Sequence, residues 1–481
     1  MLLLVQITPA QGFGGPLTMQ GVDHRSPASA ASAASGGTVL TVHPGIASMF
    51  AHPASLGRLS GPEISVGSIS RRSSSAQEQR YSPLKYYSNF SLFMEGLTRD
   101  IPDPAYDTLN HVPATAADSV QRPFDRIGPD WDRTASGSTP LQLFAAVPLT
   151  IAGVKIGIGA GMTQYADLQY YFRNNNVLAP SMLSPELYVR TRPINDADST
   201  SRPAQWFQQT MQRDGSITAY GLSLSMAMTD QWMLGVSGQI LDGTSDDVEQ
   251  RVERGRLRFF QNYFRAESVY QRITSIGTSS YSGTEFTVST EWQTRSVLFG
   301  VSVILPSAVE RSFTMRTTTD TTGAVRTVTA AGSDKIGLPV RARVALGLQL
   351  RENLEVGLEY EYHPYEKSEY TGAKGGTSRP WISSGSIHIG ARYRAAEWLV
   401  LRAGAMEQSE VFEQTGNPLP GVPVSGSAYS AGISLIAYGA VFDLGYRYQR
   451  SEYVDSWTSM VSINTFTGHS LAASCSYALP W

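Results

Sequence analysis

The chain of 481 residues holds one cysteine, Cys475, which excludes an intramolecular disulfide framework and any cysteine-rich metal site. Charge is scarce too. Asp, Glu, Lys and Arg make up 16% of residues, against roughly a quarter in an average soluble domain. Lys plus Arg number 38 and Asp plus Glu 41, a formal net charge of −3, which argues against a nucleic-acid binder. Long apolar runs are missing as well, and a transmembrane helix needs about 20 mostly apolar residues. The best window, Leu143 to Met162, is interrupted by Pro148 and Lys155, and its glycines Gly157, Gly159 and Gly161 recur every second residue. That is the period of a strand, not of a helix. The seven histidines show no metal-ligand spacing such as HxxxH. No catalytic residue, metal site or cofactor is assigned, and the chain does not read as an enzyme.

What is present is alternation. Tyr220, Leu222, Leu224, Met226 and Met228 form one face of a segment whose other face is Ala219, Gly221, Ser223, Ser225 and Ala227. Val344, Leu346 and Leu348 alternate with Arg343, Ala345 and Gly347, and Val356, Leu358, Tyr360 and Tyr362 with Glu355, Gly357, Glu359 and Glu361. Sandwich strands usually run about 5–6 residues, whereas strands that cross a bilayer run about 9–11. Many of these segments have the longer measure. Apolar faces of Leu, Tyr and Ala opposite Gly, Ser, Arg and Glu suit lipid outside and a polar lumen inside. Tyrosines near segment ends suit an interfacial girdle. Unpaired sheet edges are not tolerated in lipid, so the sheet has to close. The expected fold is all-β, a transmembrane antiparallel β-barrel of 14 to 16 strands, even in number.

Strands are expected near 62–69, 87–95, 140–149, 153–163, 216–228, 231–241, 256–272, 284–293, 296–305, 309–317, 339–350, 354–363, 385–395, 398–407, 428–437, 440–450 and 468–479. Some of these should merge or prove to be loop hairpins. Thr229-Asp230, Arg351-Glu352-Asn353, Ala396-Glu397 and Tyr438-Gly439 are short turns suited to the periplasmic side. The segments 100–138, 164–215, 242–283, 318–337, 364–383, 408–427 and 451–466 read as long outer loops. The chain ends on Leu471, Ala473, Cys475, Tyr477, Leu479 and Trp481 along one face. Such an alternating, aromatic-ended strand suits recognition by the barrel-assembly machinery.

Three regions follow. Residues 1–10 read as a signal-peptide remnant, with a hydrophobic N-terminal strand as the other reading; no cysteine follows to carry a lipoprotein anchor. Residues 11–60 are rich in small residues and do not alternate, as befits a plug inside a barrel, and residues 61–481 form the barrel.

The order Gly-Phe-Gly near the mature start, then Ala47 to Leu56, then a first strand, resembles the FadL-type outer-membrane transporters of long-chain fatty acids and other hydrophobic compounds. The hairpin built from LPVRARVALGLQL and NLEVGLEYEY, and the C-terminal hairpins, resemble that family too. The resemblance implies a hatch carrying an Asn-Pro-Ala motif ahead of a 14-strand barrel. Here the motif is His52, Pro53 and Ala54, with His in place of Asn. A similar opening occurs in the PorV-like barrels of type IX secretion. Passive uptake of a hydrophobic ligand in the bacterial outer membrane is the implied function. A PorV-like accessory barrel or a general porin is the alternative.

If so, apolar residues on inward registers mark the path: Met233, Leu298, Ile304, Val400 and Ile436. They suit packing against the hatch equally well. The glycines of 157–161 either supply a kink for a lateral gap or make room for the plug. Arg341, Arg343, Arg392 and Arg394 with Glu355, Glu359 and Glu361 are expected to form an interior ion-pair ladder holding wall and plug, or to meet a carboxylate headgroup. Arg254, Arg256 and Arg258 suggest a strand above the membrane touching anionic headgroups or an acidic ligand, and the acidic residues read as solvated outer loops bridged to lipopolysaccharide by divalent cations. Outer-membrane lipid, lipopolysaccharide, a hydrophobic ligand and the assembly machinery are thus the expected partners, with no nucleic acid.

Overall fold

The computed structural model describes residues 19–81, 130–174, 181–182, 202–259, 264–267 and 271–480, apart from 20, 24, 43, 44, 140, 322, 415, 417, 418 and 457–459. Its strands are β1 (Glu63–Tyr81), β2 (Trp131–Ser138), β3 (Gln142–Ile151), β4 (Val154–Asp167), β5 (Tyr170–Asn174), β6 (Ser181–Met182), β7 (Arg202–Ala227) and β8 (Trp232–Phe259). There follow β9 (Phe264–Glu267), β10 (Gln271–Gln293), β11 (Val297–Ile304), β12 (Ser307–Thr321), β13 (Ala324–Leu338), β14 (Arg341–Arg351) and β15 (Leu354–His363). The last are β16 (Glu369–Thr371), β17 (Thr377–Ser378), β18 (Ser384–Ala396), β19 (Leu399–Glu413), β20 (Pro423–Ala437), β21 (Ala440–Ser456) and β22 (Met460–Ala478).

All pair antiparallel with their neighbours, and β1 pairs with β22 from Glu63↔Ala478 to Tyr81↔Met460, which closes the wall. Several strands are broken pieces of one wall position, such as β11 and β12 around Pro306, so the barrel has 14 positions. Among the described residues, no helix is long and apolar enough to cross a membrane.

The side-chain alternation decides which face is which. On β7 and β8, Leu222, Leu224, Val236 and Ile240 face out, while Ser223, Ser225, Ser237 and Gln239 are buried inside. On β10, Phe286, Val288 and Trp292 face out and Glu285, Ser289 and Glu291 face in. A wall that exposes leucine and buries glutamate is inside-out by the rules of a soluble protein, and it fits an apolar surround. Short turns gather at one end. Ala152-Gly153 and Tyr438-Gly439 each take two successive positive φ values, the two-residue hairpin geometry that matches strand twist.

Residues 19–60 run inside this wall. A one-turn helix, α1 (Ala30–Ala34), is capped by the Ser29 hydroxyl and lies against β19, β20, β21 and β22. The 3-10 turn Pro53–Arg58 lies against β4, β7, β8 and β10. The segment therefore touches opposite sides of the lumen.

Several expected boundaries change. Residues 242–283 and 318–337, read as loops, are largely strand: β8 and β10 run on past the apolar zone, and β12 with β13 forms a hairpin. There, as at Ser245, Asp246, Asp247, Ser279 and Ser280, both faces are polar, so alternation leaves no mark on the sequence. At about 3.3 Å per residue, the 28 residues of β8 rise about 90 Å along the strand, far beyond what a bilayer takes up. Trp131 to Ser138 is likewise strand rather than loop. The expected strand 256–272 is divided among β8, β9 and β10. The expected strand at 87–95, and the side chains of Arg254, Arg256 and Arg258, lie outside the described residues.

Candidate functional site: the lumen, its inner segment and a break in the wall

Glu359 shows how the wall holds the inner segment. Its carboxylate, wholly buried, accepts the backbone N–H groups of Val39, Leu40 and Thr41 at 2.8 to 3.1 Å and the Thr41 hydroxyl at 2.8 Å. Arg343 donates to it at 3.1 Å and also pairs with Glu361. Nearer the short-turn end, His52 Nε2 lies 2.6 Å from Glu291, whose other oxygen pairs with Arg58. The next two residues complete the motif: Pro53 opens the 3-10 turn, and Ala54 N–H donates to Ser289 at 2.9 Å. A Cβ on Gly235 would sit 2.3 Å from Ala54 N, and one on Gly404 would sit 2.1 Å from Gly36 N. At both places the wall glycine is what lets the inner backbone reach the barrel.

Toward the other end, Glu285 gathers three groups. Arg25 donates to it at 2.7 and 3.2 Å, Arg341 at 2.5 Å and the Tyr165 hydroxyl at 2.9 Å. The Arg25 guanidinium lies over the Tyr165 ring, 3.5 Å from its centroid. Burial opposes the Arg25 charge, but Glu285 outweighs it and holds the guanidinium above its usual value. Tyr165 occupies a bulge in β4, where the register against β7 slips between Gln164 and Ala166.

Beyond that bulge the wall is not continuous in its backbone bonding. The pairing of β3 with β4 ends at Leu143↔Met162. Above it, β2 pairs with β1 and β5 with β7, and among the described residues no ladder joins β2 to β4 or β5. Side chains bridge the break instead. Trp131 meets Tyr171 edge-on with centroids 5.4 Å apart, Arg133 lies over the Tyr171 ring at 4.1 Å, and Arg133 donates to Gln212 at 3.1 Å. Behind them is a cavity of about 230 Å³ lined by Trp131, Tyr171, Phe172, Phe412, Tyr453 and Phe466, with Arg447 at its inner side. Arg447 also lines a second cavity of about 190 Å³ that reaches Arg25, Phe50 and His388. A third, of about 180 Å³, lies beside His52 and Leu298.

The expected path residues fall in different places. All five lie on inward registers, but they do not come together. Ile304 lines the second cavity and Leu298 the third. Met233 packs under Gly57 of the inner segment, Val400 is buried in the wall and Ile436 sits beside the last short turn. The interior charges are only partly a ladder. Arg343 joins Glu359 and Glu361, and Arg392 approaches Glu355 at 3.7 Å. Arg341 instead serves Glu285, on a different wall position. Arg394 is exposed at the short-turn rim, because β18 runs out of wall two residues later. Gly157, Gly159 and Gly161 make room: added Cβ atoms would strike Leu56, Met49 and Phe144. The aromatic lining was missed. The run Tyr170-Tyr171-Phe172 was its one visible trace, hidden inside an expected loop. Among the described residues, no group of three His, Cys, Asp or Glu could hold a metal.

No family profile matches the chain, and no curated protein sequence matches it. Solved structures do. A Pseudomonas aeruginosa FadL homologue superposes with a TM-score of 0.58 at 11% identity, covering 95% of this chain and 99% of that one. The toluene transporter TodX of P. putida gives 0.56 at 11% identity, over 94% and 99%. The closed 14-strand barrel matches theirs, and the chain has the fold of the FadL-type outer-membrane transporters.

Proposed function

We propose that the protein sits in the bacterial outer membrane and passes hydrophobic small molecules passively, with residues 11–60 as its hatch. One observation carries this reading: an aromatic cavity lies directly behind a place where the wall is held by side chains rather than by backbone bonds. The break lies level with Gln212 and Val248, past the apolar zone, and parting two rings there costs far less than breaking a β-ladder, so this is where an apolar molecule can enter the lumen from the outer side. The similar structures support it, since one is described as a FadL homologue and another as a toluene transporter. The lumen is filled by buried chain, which suits a selective conduit and opposes a general porin. Lipopolysaccharide around the outer rim and the assembly machinery at β22 are the partners this placement implies.

Proteoliposomes carrying the protein are expected to take up a neutral lipophile such as naphthalene faster than empty vesicles, and to stay tight to sugars. Sugar leakage would identify a porin instead. A protein that moves neither is a scaffold barrel of the PorV kind, and the transport reading falls.

A further inference from the structure

Most interior arginines are matched to acids; Arg402 has the Ser434 hydroxyl and the Val42 carbonyl instead, and Arg447, beside the aromatic cavity, has less still. Arg25 has Glu285, Arg71 has Asp167 at 2.7 Å and Arg213 has Asp247 at 2.8 Å. Arg447, on β21, has none among the described residues. Its guanidinium reaches the Met406 thioether at 3.9 Å and the Gln449 amide oxygen at 3.4 Å, and its Nε is buried without a hydrogen-bond partner. Neither contact supplies charge. Arg447 is half-buried, and a cation partly withdrawn from water with no counter-ion carries a cost that an anion arriving from outside would relieve.

The surroundings make the same point. Six arginines and three carboxylates line the cavity, and with Glu285 and Asp247, which pair with Arg25 and Arg213, a small positive excess remains. Arg447 stands where this cavity and the second one meet. A planar guanidinium matches a carboxylate with two parallel N–H···O bonds. The rest of the lining is not the smooth aliphatic sleeve that suits a straight chain. Its apolar part is ring faces and edges, with Trp131 against Tyr171, and Phe412 edge-on to Tyr453 at 5.5 Å. Such surfaces favour a flat ring, through offset and edge-to-face contact.

We infer that the cavity behind the wall break selects aromatic monocarboxylates, with Arg447 as the residue that receives the carboxylate. This rests on the transport reading and narrows it. A neutral hydrocarbon would leave Arg447 unmatched, and an unbranched fatty acid would forgo the ring contacts. No covalent step is involved. Arg447 acts as a specificity residue, releasing the ligand inward because it faces both cavities.

The test uses the full protein in detergent and in proteoliposomes, with three probes: naphthoate, its neutral isostere naphthamide, and dodecanoate. Wild type should bind naphthoate about ten-fold or more tightly over naphthamide, the size of one charge-assisted hydrogen-bond pair. It should also favour naphthoate over dodecanoate. Arg447→Met should abolish the preference over naphthamide. Arg447→Lys should restore part of it. The comparison within wild type stands even where a variant does not fold. Equal binding of naphthoate and naphthamide overturns the role of Arg447, and dodecanoate binding as well as naphthoate overturns the aromatic preference. In both cases naphthalene uptake shows the transport reading intact. Loss of all uptake in wild type overturns both.

Discussion

Removing the Glu359 carboxylate tests whether the inner segment is held by the wall or merely enclosed by it. Glu359→Ala leaves three backbone N–H groups, those of Val39, Leu40 and Thr41, without their acceptor in a site closed to water. Each buried donor left unsatisfied costs about 1–3 kcal/mol. Partial relaxation and entry of a water lower the sum, so we expect a loss of about 3–4 kcal/mol in docking of this stretch. That corresponds to a rise of about 10²–10³-fold in the undocked population. Arg343 keeps Glu361, so no second buried charge is stranded. Hydrogen exchange read by mass spectrometry on a peptide spanning residues 38–42 should show the same acceleration, while peptides from β7 and β8 keep their protection. Glu359→Gln retains an acceptor oxygen at the Oε1 position and should fall between. If exchange at Thr41 stays at the wild-type rate in Glu359→Ala, the carboxylate is not what holds the segment, and the reasoning fails.

Two further outcomes follow from the same structure. Gly404→Val places carbon where Gly36 N now lies, so the segment around α1 should be expelled, and single-channel recordings in planar bilayers should show conductance that wild type lacks. Unchanged recordings would mean the wall bends instead. Leu222→Arg sets a cation on the lipid face of β7, and should cost about 2–4 kcal/mol if the site lies near the bilayer midplane. Urea titration of protein refolded into lipid vesicles measures it, and a change below half that range would move Leu222 toward the interface.

The barrel was legible because lipid imposes a period. Wherever one face meets hydrocarbon and the other a polar lumen, as from Tyr220 to Met228 or from Val356 to Tyr362, the alternation stands out and the strand is found. Where both faces are polar the period remains in the structure but leaves no contrast. That is why the upper half of β8, around Asp246 and Asp247, reads as loop. Interior partners were harder still. Parity shows that Arg341 points inward but not that it crosses to Glu285, since the choice depends on barrel curvature and on where Tyr165 bulges. The aromatic cavity draws on β2, β5, β19, β21 and β22, and no local pattern joins strands so far apart in the chain. The histidine that replaces asparagine in the Pro-Ala motif was readable as a departure. Its consequence, a 2.6 Å contact with Glu291, needed the fold.

The partners of the inner segment also set an order of events. Gly36 donates to Ser430, 394 residues later, Val39 to Glu359, 320 residues later, and Val42 O accepts from Arg402, 360 residues later. β1, which follows the segment directly, closes the ring with β22. So the stretch 36–42, unlike the turn at Pro53–Arg58, has nothing to dock on until most of the chain after it has been made. Contacts of such span carry a large loop-closure entropy and form late. For this stretch synthesis and assembly run in opposite directions: it emerges long before its wall partners and settles only once the last strands of the ring are in place.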